Sequence, residues 1–138
     1  MKIYVSGTFS DQVRLRDMAA TLFSMGHQVT GTWLNEVKQP AHMQEEEWHR
    51  SLGIKDLAEV AAADCIILDN DGSSTSGGRY TEWGFALGRF NMLKIVVGQN
   101  HYGVFLRLAD KLFKTWDEVF QYLKENHNDD VQLNATAG

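Results

Sequence analysis

Glu82 stands four residues past a glycine pair, Gly77-Gly78, at the start of a helix-forming stretch, and its setting is the one in this chain best suited to chemistry. A carboxylate in the first turn of a helix is favoured in its ionised form by the unpaired backbone N–H groups and the helix dipole. At the mouth of a ligand cleft such a group can attack a sugar carbon. A first-turn Glu also commonly does no more than complement the dipole. Just upstream, Gly72, Ser73, Ser74, Thr75, Ser76, Gly77 and Gly78 offer hydroxyls and unobstructed amides, the equipment for holding phosphate or ribose oxygens. The same composition equally describes a flexible connection. A second polar turn, Ser6-Gly7-Thr8-Phe9-Ser10, is neither a dinucleotide fingerprint nor a P-loop, and its plain reading is a tight strand-to-helix turn. Asp56 sits among Ile54, Leu57, Ala58 and Ala61, so its carboxylate lies at the solvated edge of an apolar stripe or is turned into a site. Trp33 falls at a strand end, where it can stack on a base, whereas the other tryptophans fit helix faces and hence core. The five histidines are scattered without pairing and read as surface residues.

The elements that must position these groups alternate from the start. Ile3-Tyr4-Val5 reads as a buried strand ended by Ser6-Gly7-Thr8. Ser10 then caps a helix with the stripe Leu15, Met18, Ala19, Leu22 and Phe23, stopped by Gly26. Gln28-Val29-Thr30 with Thr32-Trp33 suggests a second strand, and residues 34–43, with the only proline, a loop. A helix from about Glu45 to Ala63 is acidic in its first turn, as the dipole favours. Cys65 to Leu68 form a third strand, and a helix from about Tyr80 to Phe90 presents Trp83, Ala86, Leu87 and Phe90 on one face. Lys94 to Val97 form a fourth strand, ended by Gly98. Thr115 and Glu118 have capping-box spacing ahead of the stripe Trp116, Val119, Phe120 and Leu123.

This alternation predicts a single-domain, three-layer α/β fold with a mostly parallel sheet of four to five strands, over residues 1–125, and a mobile polar tail over 126–138. Parallel strands joined by right-handed crossovers place ligand loops at their carboxyl ends. The places to look are therefore residues 6–10 and the loop 69–79, which opens with Asp69.

The formal net charge of −5 disfavours a surface that coats a nucleic acid polymer. One cysteine, Cys65, excludes an internal disulfide framework, and no Cys/His cluster has zinc spacing. No apolar run approaches the roughly 20 residues that cross a bilayer, and Lys2-Ile3-Tyr4-Val5 is strand-like, unlike a signal peptide. A cytoplasmic protein is expected, with no metal or cofactor and no membrane partner.

Four segments together resemble the nucleoside 2-deoxyribosyltransferase-like superfamily, which includes the nucleoside deoxyribosyltransferases and the 2′-deoxynucleoside 5′-monophosphate N-hydrolases. They are residues 3–8, residues 55–66 with Asp56, residues 76–88 with a Glu82-x-Gly84-x-Ala86 core, and residues 94–97. The resemblance implies a Rossmann/flavodoxin-like fold and N-glycosidic bond chemistry on a small nucleoside or nucleotide. By that likeness Glu82 attacks C1′ and forms a covalent glycosyl intermediate, Tyr4 orients the carboxylate, and Asp56 assists the departing base. Ser6, Gly7, Thr8, Phe9, Ser10, Asp69, Ser76, Gly77 and Gly78 fall to substrate binding. Six residues before the nucleophile the transferases typically carry Asp and the monophosphate hydrolases Ser; Ser76 here leans toward a 5′-monophosphate and slightly toward hydrolysis. The family also implies a homodimer or higher homo-oligomer with shared active sites.

Two departures stand out. The hydrolases have an arginine in the first loop where this chain has Ser10, with Arg14 and Arg79 as other sources of charge. Residues 99–108 do not clearly match the segment that completes a neighbouring subunit's site in the family. Two other readings are a cytokinin-type nucleotide phosphoribohydrolase, whose Thr and Glu are spaced further apart than Thr81 and Glu82, and a non-catalytic nucleotide sensor on the same fold.

Overall fold

A computed structural model of the chain describes residues 1–36, 39–72, 77–99 and 103–137, with side chains through 126. Five strands form one sheet: β1 (Lys2–Ser6), β2 (Gln28–Val29), β3 (Cys65–Asp69), β4 (Leu93–Val97) and β5 (Lys111–Phe113). Their order is β2-β1-β3-β4-β5, and every pairing is parallel. This is the flavodoxin-like arrangement, in which the direction of winding reverses beside β1 and leaves a crevice at the strands' carboxyl ends. The expected α/β class holds. The helices are α1 (Gln12–Ser24), α2 (Glu45–Ala61), α3 (Gly78–Leu87) and α4 (Trp116–Ala137).

The central strands form because each is a short apolar run that the layers bury on both faces. All five residues of β3 are buried, as are Ile3, Tyr4 and Val5 of β1 and Ile95, Val96 and Val97 of β4. Leu15 and Leu22 of α1, Val60 of α2, Trp83 and Ala86 of α3, and Trp116, Val119 and Leu123 of α4 close the core around them. Among the described residues, no helix is long and apolar enough to cross a membrane.

Several boundaries differ from the sequence expectations, each for a local reason. Helix α1 begins at Gln12, after a 3-10 turn over Phe9–Asp11, so Ser10 is not its cap. Strand β2 stops at Val29 because residues 32–35 coil into a 3-10 turn that sends the Trp33 indole inward, where its N–H donates to the Val5 carbonyl at 2.8 Å. Helix α3 ends at Leu87, and Phe90 beyond it is 99% exposed instead of lying on the buried face. His27, expected at the surface, is buried and its Nδ1 lies 3.1 Å from the chain's amino-terminal nitrogen. Helix α4 extends from Trp116 to Ala137. The stop at Gly26 is where expected, with φ +95°, a conformation that glycine adopts without strain.

Candidate active site

Tyr4 and Ser6 alternate along β1 onto one face of the sheet, the face that α3 covers at this end. Both side chains reach Glu82. The Tyr4 hydroxyl donates a short hydrogen bond to Glu82 Oε2, and Ser6 Oγ donates to Oε1 at 2.7 Å. Each carboxylate oxygen is therefore held by its own donor, and each keeps a second lone pair. Tyr4 and Ser6 are fully buried, so this support is fixed by the sheet itself.

Glu82 is the fifth residue of α3, because the helix starts two residues earlier than its apolar stripe suggests. It stands beyond the first turn, and the expectation that the dipole keeps it ionised does not hold. Burial pushes its carboxyl up to about 7, against the lowering by the Tyr4 and Ser6 hydrogen bonds, while the negative charges of Asp56 and Glu59 raise it further. Tyr4 is driven far above the usual phenol range, by burial first and then by Glu82, and so remains a hydrogen-bond donor.

Glu82 opens onto a cleft of about 220 Å³. The loop after β1 contributes Gly7 and Phe9, the segment after β2 contributes Trp33 and Glu36, and α3 adds Gly78 and Arg79. Helix α2 supplies Trp48, Leu52 and Asp56, which recur at intervals of four and so share one face. Asp56 thus turns into the site instead of standing at a solvated edge. Burial raises its carboxyl above the ordinary value, Lys55 lowers it, and Glu59 raises it again. Lys55 forms an ion pair with Glu36 and lies 3.9 Å from Asp56 Oδ1. The arrangement puts an aimed carboxylate and a second carboxyl, raised above its ordinary value, in one pocket walled by aromatic rings.

The remaining residues expected at the site are distributed unevenly. Gly7 belongs to the wall, and a Cβ there would collide with the Leu15 side chain. Thr8 is buried and donates to Asp11 at 2.7 Å, with Ser10 Oγ 3.2 Å away, so both hydroxyls are engaged within the turn. Asp69 is 1% exposed and both its oxygens are occupied: Arg14 grips them at 2.8 and 2.9 Å, and the Trp116 indole donates at 2.7 Å. Arg14 is thereby committed to Asp69. Gly77 is exposed as the residue preceding α3, and Ser76 lies outside the described residues. Trp48, Leu52 and Glu36 were not singled out from the sequence, although the spacing of Trp48, Leu52 and Asp56 carried the signal. Among the described residues, no group of three His, Cys, Asp or Glu is placed to hold a metal ion.

No family model matches the chain, and no curated protein does. Solved structures do. A 2-deoxyribosyltransferase from the psychrotolerant bacterium Bacillus psychrosaccharolyticus is 18% identical, with a TM-score of 0.66 over 86% of this chain and 90% of that one. A conserved protein from Enterococcus faecalis V583 is 12% identical, with a TM-score of 0.71 over 91% and 98%. The CMP N-glycosidase BcmB of Clostridium botulinum is 14% identical, with a TM-score of 0.55 over 89% and 98%. The chain is similar to these proteins in fold along nearly its whole length.

Proposed function

We propose that this chain is an enzyme of the nucleoside 2-deoxyribosyltransferase-like superfamily that cleaves the N-glycosidic bond of a (2′-deoxy)nucleoside or its 5′-monophosphate. The observation that carries this reading is the Glu82 carboxylate, held on both oxygens by Tyr4 and Ser6 and open to a cleft that also contains Asp56. The fold shared with a deoxyribosyltransferase and a CMP N-glycosidase supports it.

In the proposed reaction the ionised Glu82 attacks C1′ as the C1′–N bond breaks. Asp56, whose carboxyl burial holds above its ordinary value, donates a proton to the departing base. The sugar then rests on Glu82 as an ester. Water, or a second base, attacks C1′ on the face the first base vacated and releases Glu82 as the carboxylate. Hydrolysis is the preferred outcome and transfer the second. Trp33, Trp48 and Phe9 offer ring faces on which a base can stack.

The test is incubation with nucleosides and 5′-monophosphates, ribo and deoxy, with and without a second free base, following released base by chromatography. Base release by the wild type that Glu82→Ala abolishes is the expected result. No release from any compound, or undiminished release by the variant, overturns the reading.

A further inference from the structure

Two of the walls that face Glu82 across the cleft are anchored in unlike ways. The turn over Thr32–Asn35 and the residue after it, Glu36, are tied to the body of the fold. The Trp33 indole donates to the Val5 carbonyl at 2.8 Å. Gln12 Nε2, at the start of α1, donates to the Trp33 and Glu36 carbonyls at 2.7 and 2.8 Å. Opposite them, Trp48, Leu52 and Asp56 stand on α2, a helix of 17 residues of which Val60 alone is buried. A helix with so little buried apolar surface shifts at low cost, and side-chain bonds decide where it rests.

Glu59 makes such bonds. Its Oε2 accepts from the Thr32 backbone N–H at 2.6 Å, and its Oε1 accepts from the Thr32 hydroxyl, also at 2.6 Å. The Thr30 hydroxyl donates to the Glu59 carbonyl at 3.3 Å, on the approach to the same turn. Both carboxylate oxygens thus grip the residue directly before Trp33. Glu59 follows Asp56 by three residues, so the two are neighbours on the surface of α2. One turn back, Lys55 pairs with Glu36 at the far end of the turn, which attaches the turn to α2 at both ends. The Lys55 ammonium is long-stemmed and partly solvated, so its pair holds loosely. The grip of Glu59 consists of two charge-assisted hydrogen bonds, one of them to the backbone, and is the firmer of the two.

We propose that Glu59 is a positioning residue of this site: its grip on Thr32 latches α2 to the turn that carries Trp33 and so sets the spacing between the walls that hold the substrate. The proposal rests on the reading of the cleft as the place where an N-glycosidic bond is cleaved. Glu59 itself does not line the cleft. What it supplies is shape, in the form of two partners for Thr32 at fixed spacing, and its negative charge is incidental to the latch. With the latch open, α2 is free to move away from the turn, and Trp48 and Leu52 no longer face Trp33 at a set separation. Tyr4 and Ser6 hold Glu82 from β1, independently of α2, so the attacking group stays in place. Loss of the latch therefore weakens binding more than it slows the breaking of the bond.

The experiment compares wild type with Glu59→Gln and Glu59→Ala, each checked for folding by circular dichroism. Two quantities are measured: base release from the panel of nucleosides and 5′-monophosphates, and amide hydrogen exchange over residues 28–36 by mass spectrometry. In Glu59→Gln the side-chain carbonyl accepts from the Thr32 N–H and the amide donates to Thr32 Oγ1, so the latch is kept. In Glu59→Ala it is gone. Beyond the effect of burial, the Glu59 charge raises the Asp56 and Glu82 carboxyls, and both variants remove that charge alike. KM in Glu59→Ala should stand about 10-fold above that in Glu59→Gln, the worth of one or two hydrogen bonds, with kcat within about 3-fold. Exchange over residues 28–36 should quicken in Glu59→Ala alone. Should that variant fail to fold, Thr32→Val, at an exposed position, removes one of the two bonds and should raise KM about 3-fold. Equal KM in Glu59→Gln and Glu59→Ala, a loss confined to kcat, or equal exchange in the two overturns the latch and leaves Glu82 chemistry standing. Absence of base release from every compound sinks the glycosidic reading, and the exchange rates then still decide whether Glu59 holds the turn.

Discussion

Replacing Glu82 with Gln should make the protein more stable at high pH, and the size of the effect follows from the surroundings of the carboxyl. In the folded chain it titrates at about 7, against an ordinary value of 4.5. Below 4.5 the group is protonated in both folded and unfolded chains and costs nothing. As pH rises through 7 the folded protein must carry an ionised carboxylate that burial disfavours, and stability is lost. The gap between 4.5 and about 7, at about 1.4 kcal/mol per pH unit, sets an upper limit of roughly 3–4 kcal/mol, and the opening of the group to the cleft brings the expected loss to about 2–3 kcal/mol. Gln keeps the local bonding, because its carbonyl can accept from Tyr4 while its amide donates to Ser6 Oγ. Urea unfolding followed by tryptophan fluorescence at pH 5 and pH 9 measures both proteins. The wild type should lose about 2–3 kcal/mol more than Glu82→Gln across that interval, with other titrating groups common to both. Equal pH dependence in the two proteins would refute the reasoning, as would a variant less stable than wild type at pH 9.

The reaction needs Glu82 ionised and Asp56 protonated, so kcat/KM should follow a bell in pH, with the Glu82 limb near 7. Tyr4→Phe removes a bond that lowers Glu82, so the Glu82 limb should move to higher pH and the maximum fall about 10- to 100-fold; an unmoved limb in the pH–rate profile would count against Tyr4 as the orienting donor. Gly7→Ala should cost about 1–3 kcal/mol in thermal or urea unfolding, because the new methyl meets Leu15. Gly78→Ala, where a Cβ meets open space, should leave stability within about 0.5 kcal/mol while reducing activity by intruding on the cleft.

The layers of this fold were readable because its central strands are uninterrupted apolar runs and α1, α3 and α4 carry stripes of helical period. What escaped prediction was set by contacts between distant residues. Strand β5 is three residues long and mostly exposed, so it has no apolar run to announce it. The shortness of β2 depends on an indole bonding to a neighbouring strand, which no local pattern encodes. Helix α3 outwardly keeps its period to Phe90, but the chain leaves the helix after Leu87 and Phe90 swings into solvent. At the site, β1 brings Tyr4 and Ser6 together on the Glu82 carboxylate, and the attachment of Ser6 depends on the register of that strand. The ionisation of Glu82 was misjudged because a dipole can be inferred from sequence position and desolvation cannot.

Asp69 ties the first helix to the last. Through Arg14 and Trp116 its carboxylate joins the start of α1 to the start of α4, at the point where β3 hands the chain to the loop before Glu82. The smallest self-sufficient form of the protein must therefore extend past its final strand to include Trp116, although every group assigned to the reaction lies before residue 83. A shortened version ending at β5 would retain the complete set of reacting side chains and lose the indole that fastens Asp69 at the end of β3.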